Sequence, residues 1–119
     1  MSNLVENSMV VYIDPRCRIN YASYYILGLY RVYGKKSIRF DVRRFTMFKS
    51  LNTERSQSNG FAFILTHQTD TDFQLRVYVD FHDSDAIDDN VYQWADLYAK
   101  VNLNPSYNHR KYAKILPIG

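Results

Sequence analysis

Two short segments hold most of the side chains able to do chemistry. Asp80-Phe81-His82-Asp83-Ser84-Asp85 sets carboxylates beside an imidazole, the raw material of general acid–base catalysis, because each group's pKa is movable by its neighbours. His82 and Asp83 are the candidate catalytic pair. The same residues have a plainer reading, in which Asp83, Ser84 or Asp85 caps a following helix and His82 is solvated. A metal is not expected. Adjacent residues of an extended chain face opposite ways, and no second His or Cys cluster supplies further ligands. The second segment, Ile13-Asp14-Pro15-Arg16-Cys17-Arg18-Ile19-Asn20-Tyr21, places two arginines before a helix start. Guanidinium forks and helix-end N–H groups both favour phosphate or carboxylate. It matches neither GxGxxG nor the P-loop pattern, so a nucleotide site of those types is not expected. A polar loop with surface arginines is the alternative.

Other reactive side chains have less support. His67 and His109 fall in polar loops and predict structural roles or none. No serine lies in a GxSxG elbow. Cys17, between Arg16 and Arg18, has the cationic neighbours that lower a thiol pKa but no identifiable partner base, and a buried or half-exposed structural thiol is expected. As the single cysteine it excludes an intramolecular disulfide.

Both segments need elements to position them. Met9–Ile13, MVVYI, is a β-branched run without alternation, which predicts a strand buried on both faces. Asp14 and Pro15 end it. Asn20 is the expected cap of a helix over Tyr21–Tyr33, with Gly34 where a left-handed C-cap is wanted. In Ser37–Val42, Ile38, Phe40 and Val42 alternate against Arg39 and Asp41, a strand with one polar face. Residues 43–59 read as a loop with apolar anchors such as Phe45, Met47, Phe48 and Leu51. Phe61–Thr66 and Phe73–Phe81 flank the turn-rich HQTDTD and predict a hairpin. Ser84 or Asp85 then caps a helix carrying Ile87, Val91, Trp94, Ala95 and Tyr98, with Asp88 and Asp89 in its first turn. The end of that helix is left open by the pattern, since Tyr98–Leu103 also reads as a strand entered directly from it, and Lys114–Ile118 is a last short apolar run. The order β-α-β, hairpin, α, β, β predicts a mainly parallel α/β sheet with an inserted antiparallel hairpin. In such sheets ligands bind at the strands' carboxyl ends, where both reactive segments fall.

The 119 residues, 46% of them hydrophobic, suit one domain. Eleven tyrosines and seven phenylalanines make aromatic packing central to the core, and many of the tyrosines need a polar exit. No apolar run approaches the ~20 residues of a membrane span, and the amino terminus lacks a signal-peptide pattern; together with the lone cysteine this predicts a cytoplasmic chain. The net charge of +3 conceals a segregation. From Arg16 to Lys49, nine cations face the single acid Asp41, whereas from Asp70 to Asp96 eight aspartates face Arg76. Such asymmetry marks either a surface for an anionic partner or two halves that attract each other or are simply solvated.

Taken together, Tyr21–Leu29 (YASYYILGL), Val79–Ser84 (VDFHDS), Ala95–Asn104 (ADLYAKVNLN) and Lys114–Gly119 (KILPIG) resemble the amino-terminal half of bacterial glycosyltransferases encoded with capsular and surface polysaccharide genes. The resemblance spans nearly the whole chain through loosely defined patterns. It implies a single Rossmann-like domain over residues 1–119, the acceptor side of a two-domain GT-B-like enzyme, inactive alone. It implies transfer of a sugar from a nucleotide donor, held mainly by a second domain, to a saccharide or lipid-linked acceptor. His82 or Asp83 would then be the base, and Asp14, Arg16, Arg18, Tyr21 and Ser84 the substrate contacts. No metal or other cofactor is implied, no nucleic-acid partner is expected, and a peripheral contact with the inner membrane would fit. Two alternatives stand beside it: a small anion-binding module that uses segment 16–49 on nucleic acid or a membrane surface, and a small hydrolase built on Asp80, His82 and Asp83.

Overall fold

A computed structural model describes residues 8–45, 60–82, 87–101 and 110–118. The expected anchors Met47, Phe48 and Leu51, together with Asp83, Ser84, Asp85 and His109, lie outside the described residues. The chain forms β1 (Met9–Ile13), α1 (Ile19–Tyr33), β2 (Ile38–Phe40), β3 (Gly60–His67), β4 (Gln74–Asp80), α2 (Asp89–Trp94), β5 (Leu97–Lys100) and β6 (Ile115–Pro117). The strands make one six-stranded sheet in the order β2-β1-β3-β4-β5-β6. Pairings β1–β2, β4–β5 and β5–β6 are parallel, while β3 is antiparallel to both its neighbours. Five strands therefore point the same way and β3 alone is reversed, which is the mixed α/β sheet with an inserted hairpin expected from the sequence.

Both faces of the sheet are covered, which explains why its strands read as apolar runs. Val11, Ile13, Phe61, Phe63, Val77, Val79 and Ala99 face α1 and meet its Ala22 and Ile26. Alternate residues Ala62, Ile64, Tyr78 and Tyr98 face the other way, toward Phe45 and the Val91, Tyr92 and Trp94 of α2. This two-residue period puts α1 and α2 on opposite sides of the sheet. A clamp sets the start of β5 beside β4: the Arg76 backbone N–H donates to the Asp96 carboxylate at 2.9 Å, and the Asp96 N–H donates to the Arg76 carbonyl at 2.7 Å. Burial pushes the Asp96 carboxyl upward, but the backbone and side-chain hydrogen bonds from Arg76, with the charges of Arg76 and Lys114, outweigh it and hold the group below the usual carboxylate range.

Three local expectations are corrected. Arg18, not Asn20, is the N-cap position of α1, which begins two residues earlier and has no side-chain cap bond. Its far end is as expected: Gly34, at φ 84°, donates its N–H to Tyr30. The cap of α2 is Asp88, whose carboxylate accepts from the Val91 N–H at 3.3 Å, rather than Ser84 or Asp85. The helix is consequently short, with Ala95 ending it and Tyr98 in β5. Finally, Phe40 and Val42 are exposed, and only Ile38 of that alternating set enters the core, because β2 is a three-residue edge strand that α1 covers at one end only.

Gly60 opens β3 against β4 at a point with no room for a side chain. A Cβ there would lie 2.3 Å from both the Tyr78 hydroxyl oxygen and the Val79 carbonyl oxygen. Gly60→Ala is expected to destabilise the protein by about 1–3 kcal/mol, measured by urea unfolding; an unchanged midpoint would show that the strands separate at no cost.

Candidate functional site

The carboxyl ends of the five co-directional strands share one edge of the sheet with the start of β3, and three of the buried charged residues gather there. Lys100 is 0% exposed, Asp14 3% and Asp80 4%. Asp80 and Lys100 end β4 and β5 and are register partners. Both lie on the face that packs α2, since they follow Tyr78 and Tyr98 at two-residue spacing.

Asp80 is the hub. Its Oδ1 lies 3.6 Å from Lys100 Nζ and accepts from the His82 backbone N–H at 2.9 Å, while its Oδ2 accepts from the Tyr98 hydroxyl. Lys100 Nζ also donates to the His82 carbonyl at 3.1 Å. The Tyr98 oxygen accepts from the Asp88 backbone N–H at 3.2 Å. Burial, together with the charge and hydrogen bond of Asp80, pushes the Tyr98 hydroxyl far above its ordinary range. It therefore stays a protonated donor at any pH the fold meets. Through these bonds the strand ends hold the cap of α2 and both sides of the His82 backbone.

A second polar unit forms after β1. Asp14 accepts from the Arg16 backbone N–H and Nε on Oδ1 and from a terminal guanidinium nitrogen on Oδ2, all at 3.0 Å. That terminal nitrogen also donates to the Phe45 carbonyl at 3.2 Å. The Asp14 N–H continues the β1–β3 ladder to Ala62, so β3 separates Asp14 from Asp80 by two strand spacings, roughly 10 Å. They are two sites, not a carboxylate dyad.

Asp14 is a buried anchor that occupies the Arg16 fork. Arg18 is exposed, its guanidinium carbon 5.9 Å from the centroid of the Tyr21 ring. Tyr21 packs on Phe81 at 5.8 Å, and Phe81 stacks on Tyr25 at 6.2 Å. The two reactive segments are thus brought together on the α1 side by aromatic contact rather than by their charges. His82 is half-buried; Asp83 and Ser84 lie outside the described residues. His67, as expected, is structural: its Nδ1 accepts from the Thr69 and Asp70 N–H groups in the β3–β4 turn. Among the described residues no three His, Cys, Asp or Glu side chains gather in a metal-binding group.

Residue-by-residue reading missed Tyr98 and Lys100 as parts of a site. The available signal was a lysine closing the otherwise apolar run Leu97-Tyr98-Ala99, which in a buried strand demands a counter-ion. A cavity of about 300 Å³, lined by residues including Tyr12, Arg44, His67 and Gln74, opens at the opposite edge of the sheet, away from this network. Cys17 is half-buried, as expected of a structural thiol, but its arginine neighbours do not lower its pKa. Burial, and then the charge of Asp14, raise its pKa, because the Arg16 guanidinium is engaged with Asp14.

Comparison with known proteins adds no relative: no family model, no curated protein and no solved structure matches this chain.

Lys100→Met should cost about 3–5 kcal/mol by stranding the Asp80 carboxylate, and Tyr98→Phe about 1–3 kcal/mol. In chemical denaturation the Asp80→Leu/Lys100→Met pair should lose far less than the summed single losses; strict additivity would show that the two charges do not interact. Alkylation of Cys17 by iodoacetamide should be slower at neutral pH than that of a free cysteine, with its rate midpoint displaced upward in pH. A midpoint below that of the free thiol would refute the burial argument.

Proposed function

We propose that this chain is a Rossmann-like acceptor-side domain of a GT-B-like glycosyltransferase, contributing one wall of a sugar-transfer cleft. The observation that carries the reading is the convergence of Asp14–Tyr21 and Phe81–His82 at the carboxyl edge of the sheet. Two β-α-β units, β1-α1-β2 and β4-α2-β5, diverge there to opposite faces. Edges at such a divergence are where open α/β sheets bind ligands. The resemblance of VDFHDS and ADLYAKVNLN to polysaccharide glycosyltransferases supports the same class.

In this reading the acceptor saccharide stacks on Tyr21, and its phosphate or acidic group pairs with Arg18, whose guanidinium is not engaged by Asp14. His82 takes the proton of the acceptor hydroxyl as that oxygen bonds to the anomeric carbon of the donor sugar. The bond from that carbon to phosphate breaks, and the nucleoside diphosphate leaves with the electron pair. Asp83 is the second candidate for the base and Ser84 a further contact. The buried Asp80–Lys100 pair positions His82 and does not touch substrate. A second domain or partner chain supplies most of the donor contacts.

Titrating the isotopically labelled chain with a saccharyl diphosphate should shift the amide resonances of residues 14–21 and 81–82 and leave those of residues 66–74, beside the remote cavity, unmoved. In a transfer assay that includes the donor-binding side, His82→Ala should lower turnover by about 10²-fold or more with folding intact. Shifts confined to residues 66–74, or unchanged turnover, would reject the assignment.

A further inference from the structure

The outward side of α1 is built unlike the solvent face of an ordinary helix. Its exposed positions include Tyr21, Tyr24, Leu27, Arg31 and Val32, which fall within one arc at 100° per residue. Tyr24 is 79% exposed and Val32 70%, and Tyr21 and Leu27 are each more than half exposed. A solvent arc is normally charged or polar. Here its large side chains are aromatic or aliphatic, and every charge on it or next to it is positive. Arg18 precedes the helix, Arg31 lies in its last turn, and Lys35 and Lys36 continue from its end. Residues 16–40 contain no acid. Among the described residues the ion pairs are Arg16–Asp14, Arg43–Asp41, Arg76–Asp96 and Lys100–Asp80, and Arg31, Lys35 and Lys36 join none of these.

We propose that this face of α1 is a docking surface for an anionic lipid bilayer. The helix lies flat, Tyr24, Leu27 and Val32 enter the headgroup region, and Arg31, Lys35 and Lys36 pair with lipid phosphates and carboxylates. Exposed aliphatic and tyrosine side chains flanked by cations are the composition of interfacial helices, and each basic residue near an anionic surface adds attraction. A nucleic-acid surface would match the cations but leave Leu27 and Val32 without a partner. No described helix is long and apolar enough to cross a membrane, so the contact is peripheral. The inference rests on the exposed face alone and does not require the transfer reading.

Co-sedimentation of the full chain with phosphatidylcholine vesicles, with and without phosphatidylserine, tests it. Binding should require phosphatidylserine and weaken with salt. Leu27→Ser/Val32→Ser should lower the partition coefficient on the order of tenfold, and Lys35→Glu/Lys36→Glu by at least as much. All four positions are exposed, so circular dichroism and thermal midpoints should be unchanged. No binding to either vesicle, equal binding to both, or a serine variant that partitions like the parent would overturn the proposal; so would binding to duplex or single-stranded nucleic acid without vesicle binding. His82→Ala should bind vesicles normally, which separates this surface from the catalytic proposal.

Discussion

A charged lysine with no exposed surface cannot be left without a partner, and the arrangement of the sheet's second half follows from that constraint. Lys100 finds Asp80 because β4 and β5 are parallel with those two residues in register. A slip of one residue would turn Lys100 to the α1 face, among Phe61, Phe63 and Val79, where the described core offers only apolar surface. The pair therefore acts as a register pin as well as an interaction. Buried ion pairs seldom add much net stability, because desolvation offsets the attraction; breaking one is what costs. Its extension through Tyr98 to the Asp88 N–H fixes where α2 begins, and its bonds to both sides of His82 fix how the chain leaves β4.

The aromatic content is handled by the same logic. The buried Tyr92 and Tyr98 rings fill core volume while their hydroxyls reach polar groups. Tyr98 donates to Asp80, and the Tyr92 oxygen accepts from the Lys114 N–H at 3.1 Å. Rings Tyr78, Tyr98, Tyr92 and Tyr112 follow one another at 5.3 to 5.9 Å on the α2 face, tying the turn before β6 to the core. On the other face Tyr21, Tyr25, Phe81, Phe61 and Phe63 form a comparable series. That series ends at the carboxyl edge, so core packing and the presentation of the reactive segments are one structural feature.

The charge segregation has a local resolution. Among the described residues, the ion pairs Arg16–Asp14, Arg43–Asp41, Arg76–Asp96 and Lys100–Asp80 join residues two apart in sequence or neighbouring strands. Arg16 and Arg43 each close a fork on an aspartate two residues earlier, which stiffens the loops after β1 and β2. Of the other cations, Arg18, Arg31, Lys35 and Lys36 lie in or flank α1, while Arg44 lies over the Tyr12 ring.

The sequence by itself determined the element order, the reversed hairpin strand, the place of β1, of which Val11 and Ile13 are buried and Val10 and Tyr12 only half-buried, and the glycine-terminated helix. Those depend on period, turn chemistry and backbone freedom, all of which act within a few residues. It also set the segments after β1 and β4 at strand ends, because the ends of strands are local features. Tertiary structure decided the rest. Asn20 lost the cap of α1 and Asp88 gained that of α2, since a helix starts where its packed face and its hydrogen-bond partners allow, and Asp88 is held by Tyr98 from another strand. Phe40 and Val42 follow an inward pattern yet are exposed, because burial needs a covering element that alternation cannot supply. Arg16 was legible as a cation but not as one already taken by Asp14, and Lys100 carried no visible role until register set it opposite Asp80, 20 residues away in the chain.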